Sequence, residues 1–275
     1  MGSDNSFDWF LNLAARDEPL LRLFCFPHAG GGTHAYAKWA QALPEYLDVV
    51  AISPPGRGTR IREPPVEDLN AMATAIFDGV KLQADIPFAF FGHSLGSIIA
   101  YEVARRLASA GLPLPVLMFV SAHEPPTNAV DDPSWTSWTS WTRRGRPTSW
   151  MHELSDAEFT GAALERGFIP ADAVSDAGLM AVLLPALRAD LGIHERYSHG
   201  QWAREPGLSF PIVAMGGHDD SFVSAASLAK WSEVSSAESC ELLMFEGGHF
   251  YLQTDDRVLP AIEARLLQVI TWTTL

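Results

Sequence analysis

Short, continuously apolar runs alternate along the chain with longer stretches whose apolar residues recur every three or four positions. The runs at 21–26, 48–53, 88–91, 116–121, 212–216 and 241–245 have the length of β-strands. Unbroken apolar character is expected where both faces of a sheet are covered. Between them, 35–43, 66–82, 95–110, 225–232 and 259–271 carry the helical period. In the third of these, Ile98, Ile99, Val103 and Leu107 share a face while Glu102, Arg105 and Arg106 fall elsewhere, the stripe of a helix packed on one side. Strands and helices in this order predict an α/β fold on a mainly parallel, doubly wound sheet.

The alternation breaks between Glu124 and Glu205. This stretch opens on Pro125-Pro126, passes through the repeat Trp135-Thr-Ser-Trp138-Thr-Ser-Trp141, and then reads as helices over 155–166 and 176–190. Ser155-Asp-Ala-Glu158 has the form of a capping box at the start of the first. Too few strand signals lie within it to build a separate core. It is expected to be a helical lid, inserted at about residues 124–205 over the sheet's carboxyl edge of a single domain spanning 1–275.

Composition narrows the classes. With 275 residues, 47% of them hydrophobic, the chain can bury a core, which excludes disorder. A net charge of −14 makes nucleic acid a poor general partner. Two cysteines without a CxxC pair build no disulfide framework. No His/Cys/Asp cluster has ligand spacing, so no metal is expected. The first residues lack the basic and apolar parts of a signal peptide. No apolar run approaches the ~20 residues that cross a bilayer. The expectation is a cytoplasmic monomer with no membrane contact.

The strongest chemical signal is Gly92-His93-Ser94-Leu95-Gly96, a G-x-S-x-G pentapeptide between an apolar strand and an amphipathic helix. A nucleophile on so tight a turn needs small neighbours, and the turn aims the Ser94 hydroxyl at a helix start, where unpaired amides favour negative charge. Such a hydroxyl needs a base. His249 lies in Glu246-Gly247-Gly248-His249-Phe250, just past the last strand, at the edge where Ser94 should emerge. The imidazole needs an orienting acid, and the strand at 212–216 runs into Gly217-His218-Asp219-Asp220. The order Ser, Asp, His is that of α/β-hydrolases. Asp219 and Asp220 compete; the pattern G-x-x-D-x-x-V, common in hydrolases of this fold, selects Asp220 through Gly217 and Val223. After the first strand, Pro27-His28-Ala29-Gly30-Gly31-Gly32 lets backbone amides approach a ligand. The amides of Ala29 and Leu95 are the expected oxyanion hole. His28 reads as a residue orienting this loop beside the substrate rather than as a catalyst.

The set FPHAGGG, Pro54-Pro55-Gly56-Arg57-Gly58-Thr59-Arg60, GHSLG followed by Tyr101-Glu-Val-Ala-Arg-Arg, Leu184-Pro185-Ala186-Leu187-Arg188-Ala189-Asp190, GGHDD and GGHF, in this order, resembles the type II thioesterases. These are stand-alone α/β-hydrolases that accompany polyketide synthases and non-ribosomal peptide synthetases. The resemblance spans roughly residues 21–252. It implies hydrolysis of acyl thioesters on the phosphopantetheine arm of acyl or peptidyl carrier proteins, with no cofactor of the enzyme's own. Two places depart from the pattern: Ala122-His123-Glu124-Pro125-Pro126, where the family has a Gly-Arg-Arg-Ala-Pro-like stretch, and the Trp-rich run up to Trp150.

Trp135, Trp138 and Trp141 have two readings: tryptophans three apart on a helix packed against the core, or an aromatic wall for a bulky acyl chain. The arginines at 57, 60 and 62, and those at 143, 144 and 146, read as solvated faces or as small patches for an acidic carrier and its phosphate. An acyltransferase or cyclase, passing the Ser94-bound acyl group to an amine or alcohol, is the alternative enzyme. A non-catalytic binding protein on the same scaffold is a third reading.

Overall fold

A computed structural model describes residues 8–126, 140–143, 146–198, 208–235 and 240–273. Its strands are β1 (Phe10–Ala14), β2 (Leu21–Phe26), β3 (Leu47–Ile52), β4 (Phe88–His93), β5 (Leu117–Ser121), β6 (Ser140–Arg143), β7 (Arg146–Trp150), β8 (Ile212–Gly217) and β9 (Cys240–Phe245). Seven of them form one sheet in the order β1-β3-β2-β4-β5-β8-β9, parallel throughout except for β1, which runs antiparallel to β3. The helices are α1 (Ala37–Ala42), α2 (Leu69–Leu82), α3 (Leu95–Ser109), α4 (Asp156–Glu165), α5 (Ala177–Ser198), α6 (Ala225–Ala229) and α7 (Val258–Thr273). This is the α/β-hydrolase fold expected from the alternating pattern.

The apolar runs are unbroken because the central strands are covered on both faces. Phe24, Phe26, Phe88, Phe90, Met118 and Val120 point into one core with Ile76 and Val80 of α2 and Ile98, Val103 and Leu107 of α3. Their sequence neighbours Leu23, Cys25, Ala89, Phe91 and Phe119 point the other way, against Trp39 of α1 and Ile262 and Leu266 of α7. Each fully buried aromatic of this set contributes roughly 1.5–3 kcal/mol by leaving water. Register then places the functional loops. Phe26 lies beside Gly92, His93 beside Ser121, and Gly217 beside Phe245, so the chain leaves β2, β4, β5, β8 and β9 at one edge. From β2 the chain goes out to β3 and returns past β2 to β4; this reversal opens the crevice where α/β sheets bind ligands.

Three elements differ from the sequence expectation. β1 carries no clear pattern, and it forms because β3 offers an open edge. The repeat ending at Trp141 is not a helix at its described end: β6 and β7 pair antiparallel, with Trp141 opposite Ser149. Trp135 and Trp138 lie outside the described residues. α5 runs on past Asp190 to Ser198 with Pro185 inside it. Among the described residues it is the one helix long and apolar enough to cross a membrane, but half of that stretch is packed inside the protein, as in a core helix.

Candidate active site

At the end of β4 the backbone turns into α3 so sharply that Ser94 takes φ 54°, a region L-residues with a side chain seldom occupy. Such a conformation costs on the order of 1–3 kcal/mol and persists only where the surroundings force it. They do so here. A Cβ on Gly92 would sit 2.5 Å from the Ser97 backbone, and one on Gly96 would overlap the Phe26 carbonyl oxygen. The Ser94 N–H donates to the Ser121 carbonyl (2.7 Å), and the Ser97 hydroxyl donates to the Gly92 carbonyl (2.8 Å). The turn is thus pinned between β2 and β5, with Ser94 as the N-cap of α3.

His249 arrives from the turn after β9. Its Nε2 lies 3.0 Å from Ser94 Oγ, and its Nδ1 lies 2.9 Å from Asp220 Oδ2. Asp220, in the loop after β8, also accepts backbone N–H bonds on Oδ1 from Phe222 (2.8 Å) and Val223 (3.3 Å). Its side chain is fully buried. Asp219 is exposed, and its backbone N–H donates to the Gly247 carbonyl. Of the two adjacent acids, only Asp220 therefore meets the imidazole. Gly217 allows the loops from β8 and β9 to touch, because a Cβ there would overlap the carbonyl oxygens of Gly247 and Gly248.

Leu95 is the first residue of α3, where helical N–H groups lack intrahelical partners. Ala29 is buried in the loop after β2. His28, from the same loop, stands edge-on to His93 and Phe250 with ring centres 5.8 and 5.2 Å apart. Burial, reinforced by the neighbouring His249, His34 and Arg57, pulls the pKa of His28 down to about 3. It is an uncharged ring at neutral pH. His93 is also driven well below the usual histidine range by burial, and its Nδ1 lies 2.8 Å from Ser121 Oγ. His123, driven down to about 4 by burial, bonds through Nε2 to Nε2 of His194 at 2.9 Å.

The structure redirects one sequence expectation. Arg57 is not an open cation for a substrate or carrier: it is 7% exposed, and its guanidinium is spent on Asp190 and on the Gly31 carbonyl. Arg60 likewise pairs with Glu63 and stacks 5.0 Å from the Trp9 ring centre. In the sequence Asp190 reads only as the last residue of the motif at 184–190, since nothing in its local pattern points to a partner 133 residues away. Trp141 lies in β6.

Two cavities meet at Phe250. One, of about 460 Å³, is lined by Glu165, Arg166, Asp219, Ser221 and His249. The other, of about 810 Å³, runs past His28, Ala29, Trp39, Phe168 and Leu187. Among the described residues no group of three His, Cys, Asp or Glu side chains could hold a metal ion. Cys25 and Cys240 are free thiols, both raised in pKa by burial.

Comparison with known proteins matches this arrangement to a family. Residues 21–266 match the model of the thioesterase domain. The gramicidin S biosynthesis protein GrsT of Aneurinibacillus migulanus is 32% identical over 89% of this chain and 88% of its own. The type II thioesterase BorB from the borrelidin biosynthetic cluster superposes with a TM-score of 0.77 at 32% identity, covering 95% of this chain and 97% of that one. The thioesterase RedJ from the prodiginine pathway of Streptomyces coelicolor gives 0.72 at 30% identity over 90% and 86%. The chain belongs to the thioesterase family, among the type II thioesterases, and is a serine enzyme of the α/β-hydrolase fold.

Proposed function

We propose that this enzyme hydrolyses acyl thioesters held on the phosphopantetheine arm of acyl or peptidyl carrier proteins, clearing or releasing chains in polyketide or non-ribosomal peptide assembly. The hydrogen-bonded line Ser94–His249–Asp220 carries the reading. Ser94 attacks the thioester carbonyl while His249 takes its proton. Buried Asp220, fixed by two backbone amides, keeps the imidazole in the tautomer that accepts at Nε2 and offsets its charge once protonated. The amides of Leu95 and Ala29 receive the oxyanion; one such donor is worth roughly 3 kcal/mol in related hydrolases. The departing thiol has a reference pKa of about 8.5 and needs less help from His249 than an amine would. Water, activated by the same imidazole, then cleaves the Ser94 ester.

The polar cleft beside His249 supports water as the acceptor, since it lets solvent reach the imidazole. That favours hydrolysis over transfer to an amine or alcohol. The names of GrsT, BorB and RedJ support the biosynthetic setting. In this reading residues 124–205 form the lid of a single-domain, cytoplasmic monomer, and His28 lines the path of the substrate.

The test is to incubate the protein and its Ser94→Ala variant with acyl-loaded carriers and record intact masses. Free acid and unloaded carrier are expected with the wild type and neither with the variant. Turnover by the Ser94→Ala protein would reject the assignment, and an amide or lactone product would replace hydrolysis by transfer.

A further inference from the structure

The loop after β2 is gripped by two side chains that take no part in the acyl-transfer steps. The Gly30 N–H donates to Asp190 Oδ2 at 2.7 Å. Arg57 Nη1 donates to the same oxygen, Nη2 donates to Oδ1 at 3.0 Å, and Nη1 also reaches the Gly31 carbonyl at 3.2 Å. Both side chains are almost completely buried. Gly30 is left-handed, with φ 74°, and Leu187 fills the space where its side chain would be. Residues 30 and 31 are therefore fixed from α5, which carries Leu187 and Asp190, and from the loop after β3, which carries Arg57.

A buried ion pair adds little net stability, because desolvation offsets most of the attraction. What it does supply is geometry. We propose that Asp190 and Arg57 are positioning residues for the oxyanion hole, holding the Ala29 N–H where charge develops on the substrate oxygen. The inference rests on the Ser94 acyl-enzyme reading and adds that α5 is a working part of the catalytic loop. An oxyanion donor acts only within a narrow distance of the developing charge, so displacement of the loop weakens the transition state more than the bound substrate.

The experiment compares Asp190→Ala and Asp190→Asn with the wild type, using kcat and KM on a small acyl thioester. It adds the inhibition constant of an acyl trifluoromethyl ketone, whose Ser94 adduct places an oxyanion in the same spot. For Asp190→Ala, kcat should fall about thirtyfold or more, KM should stay within about threefold, and the ketone should weaken in step with kcat/KM. Asp190→Asn keeps the side chain's shape and an acceptor for the Gly30 N–H, and should recover part of both losses. Unchanged kcat in both variants would overturn the proposal, as would lower thermal stability with ketone and substrate affinity weakened equally. If Ser94→Ala is inactive while the Asp190 variants are fully active, only this inference falls; an active Ser94→Ala protein removes the reading beneath it.

Discussion

At the turn carrying Ser94 the tightest steric neighbours are backbone: the carbonyl of Phe26 against Gly96, the amide and Cα of Ser97 against Gly92, and the carbonyl of Ser121 on the Ser94 N–H. In the stretch between β5 and β8 the ties are long side chains. Glu195 accepts from the backbone of Met151 and His152 and from the His152 ring. Arg188 donates to the carbonyls of His152 and Leu154 and to Asp156, and lies 4.1 Å from the Phe159 ring centre. Backbone neighbours cannot move aside, so the turn tolerates nothing larger than what is there. Side-chain ties can be removed singly, each at a net cost of about 0.5–1.5 kcal/mol, or up to about 3 kcal/mol where a charge is involved. The nucleophile thus sits on an all-or-none scaffold, and the region beside it is held by graded contacts.

The largest expected effect breaks the rigid side of that contrast. In Gly96→Ala the new methyl meets the backbone of Phe26 and Pro27, with no side chain able to swing away. A loss of at least about 4 kcal/mol is expected, seen as failure to accumulate folded protein or as a collapsed urea midpoint. A stable, active Gly96→Ala enzyme would show that the turn has slack.

The same contrast explains what the sequence disclosed. Gly92, Ser94 and Gly96 were legible because a steric rule dictates them at fixed spacing, and His249 because a glycine turn follows a strand. The Ser155–Glu158 box was legible because capping is local, and it is present as read. Arg57 was misread because its partner comes from a distant helix. β1 was missed because five residues, three half-buried and two exposed, with an irregular register, leave no period to detect. The Trp repeat misled because a spacing of three looks helical, whereas its last member lies in a hairpin whose strands have four and five residues. The choice between two adjacent aspartates was legible only through the spacing of Gly217, Asp220 and Val223, and it is Asp220 that lies against the imidazole.

Acid should separate the two regions next. His28, at the turn, and His123, in the segment after β5, are driven down to about 3 and about 4 from the ordinary 6.5. The unfolded chain therefore takes up protons that the folded chain refuses. Their contribution is intact above about pH 6.5 and is lost as pH falls toward 4, on the order of 2–3 kcal/mol for each. Glu195, raised by burial, works in the opposite sense and softens the decline. Urea midpoints from pH 7 to pH 4.5 should show the fall, and His123→Gln should flatten its slope by close to one proton. An equal slope in wild type and variant would mean that His123 ionises normally in the folded chain.

The smallest effect sharpens the graded side. Ser155 caps α4: its N–H donates to Glu158 Oε2 at 3.2 Å, and its hydroxyl accepts from the Glu158 N–H at 3.5 Å. The second bond is long, so Ser155→Ala should cost about 0.5–1 kcal/mol, the low end for a lost N-cap. It should lower the urea midpoint slightly while leaving kcat on a small thioester unchanged, because α4 reaches neither Ser94 nor the loop at Ala29 through any such bond. A kcat that dropped along with the midpoint would mean that the helices over the site are coupled to the chemistry as a body. The link would then not run through Asp190 alone, and the two regions would have to be treated as one.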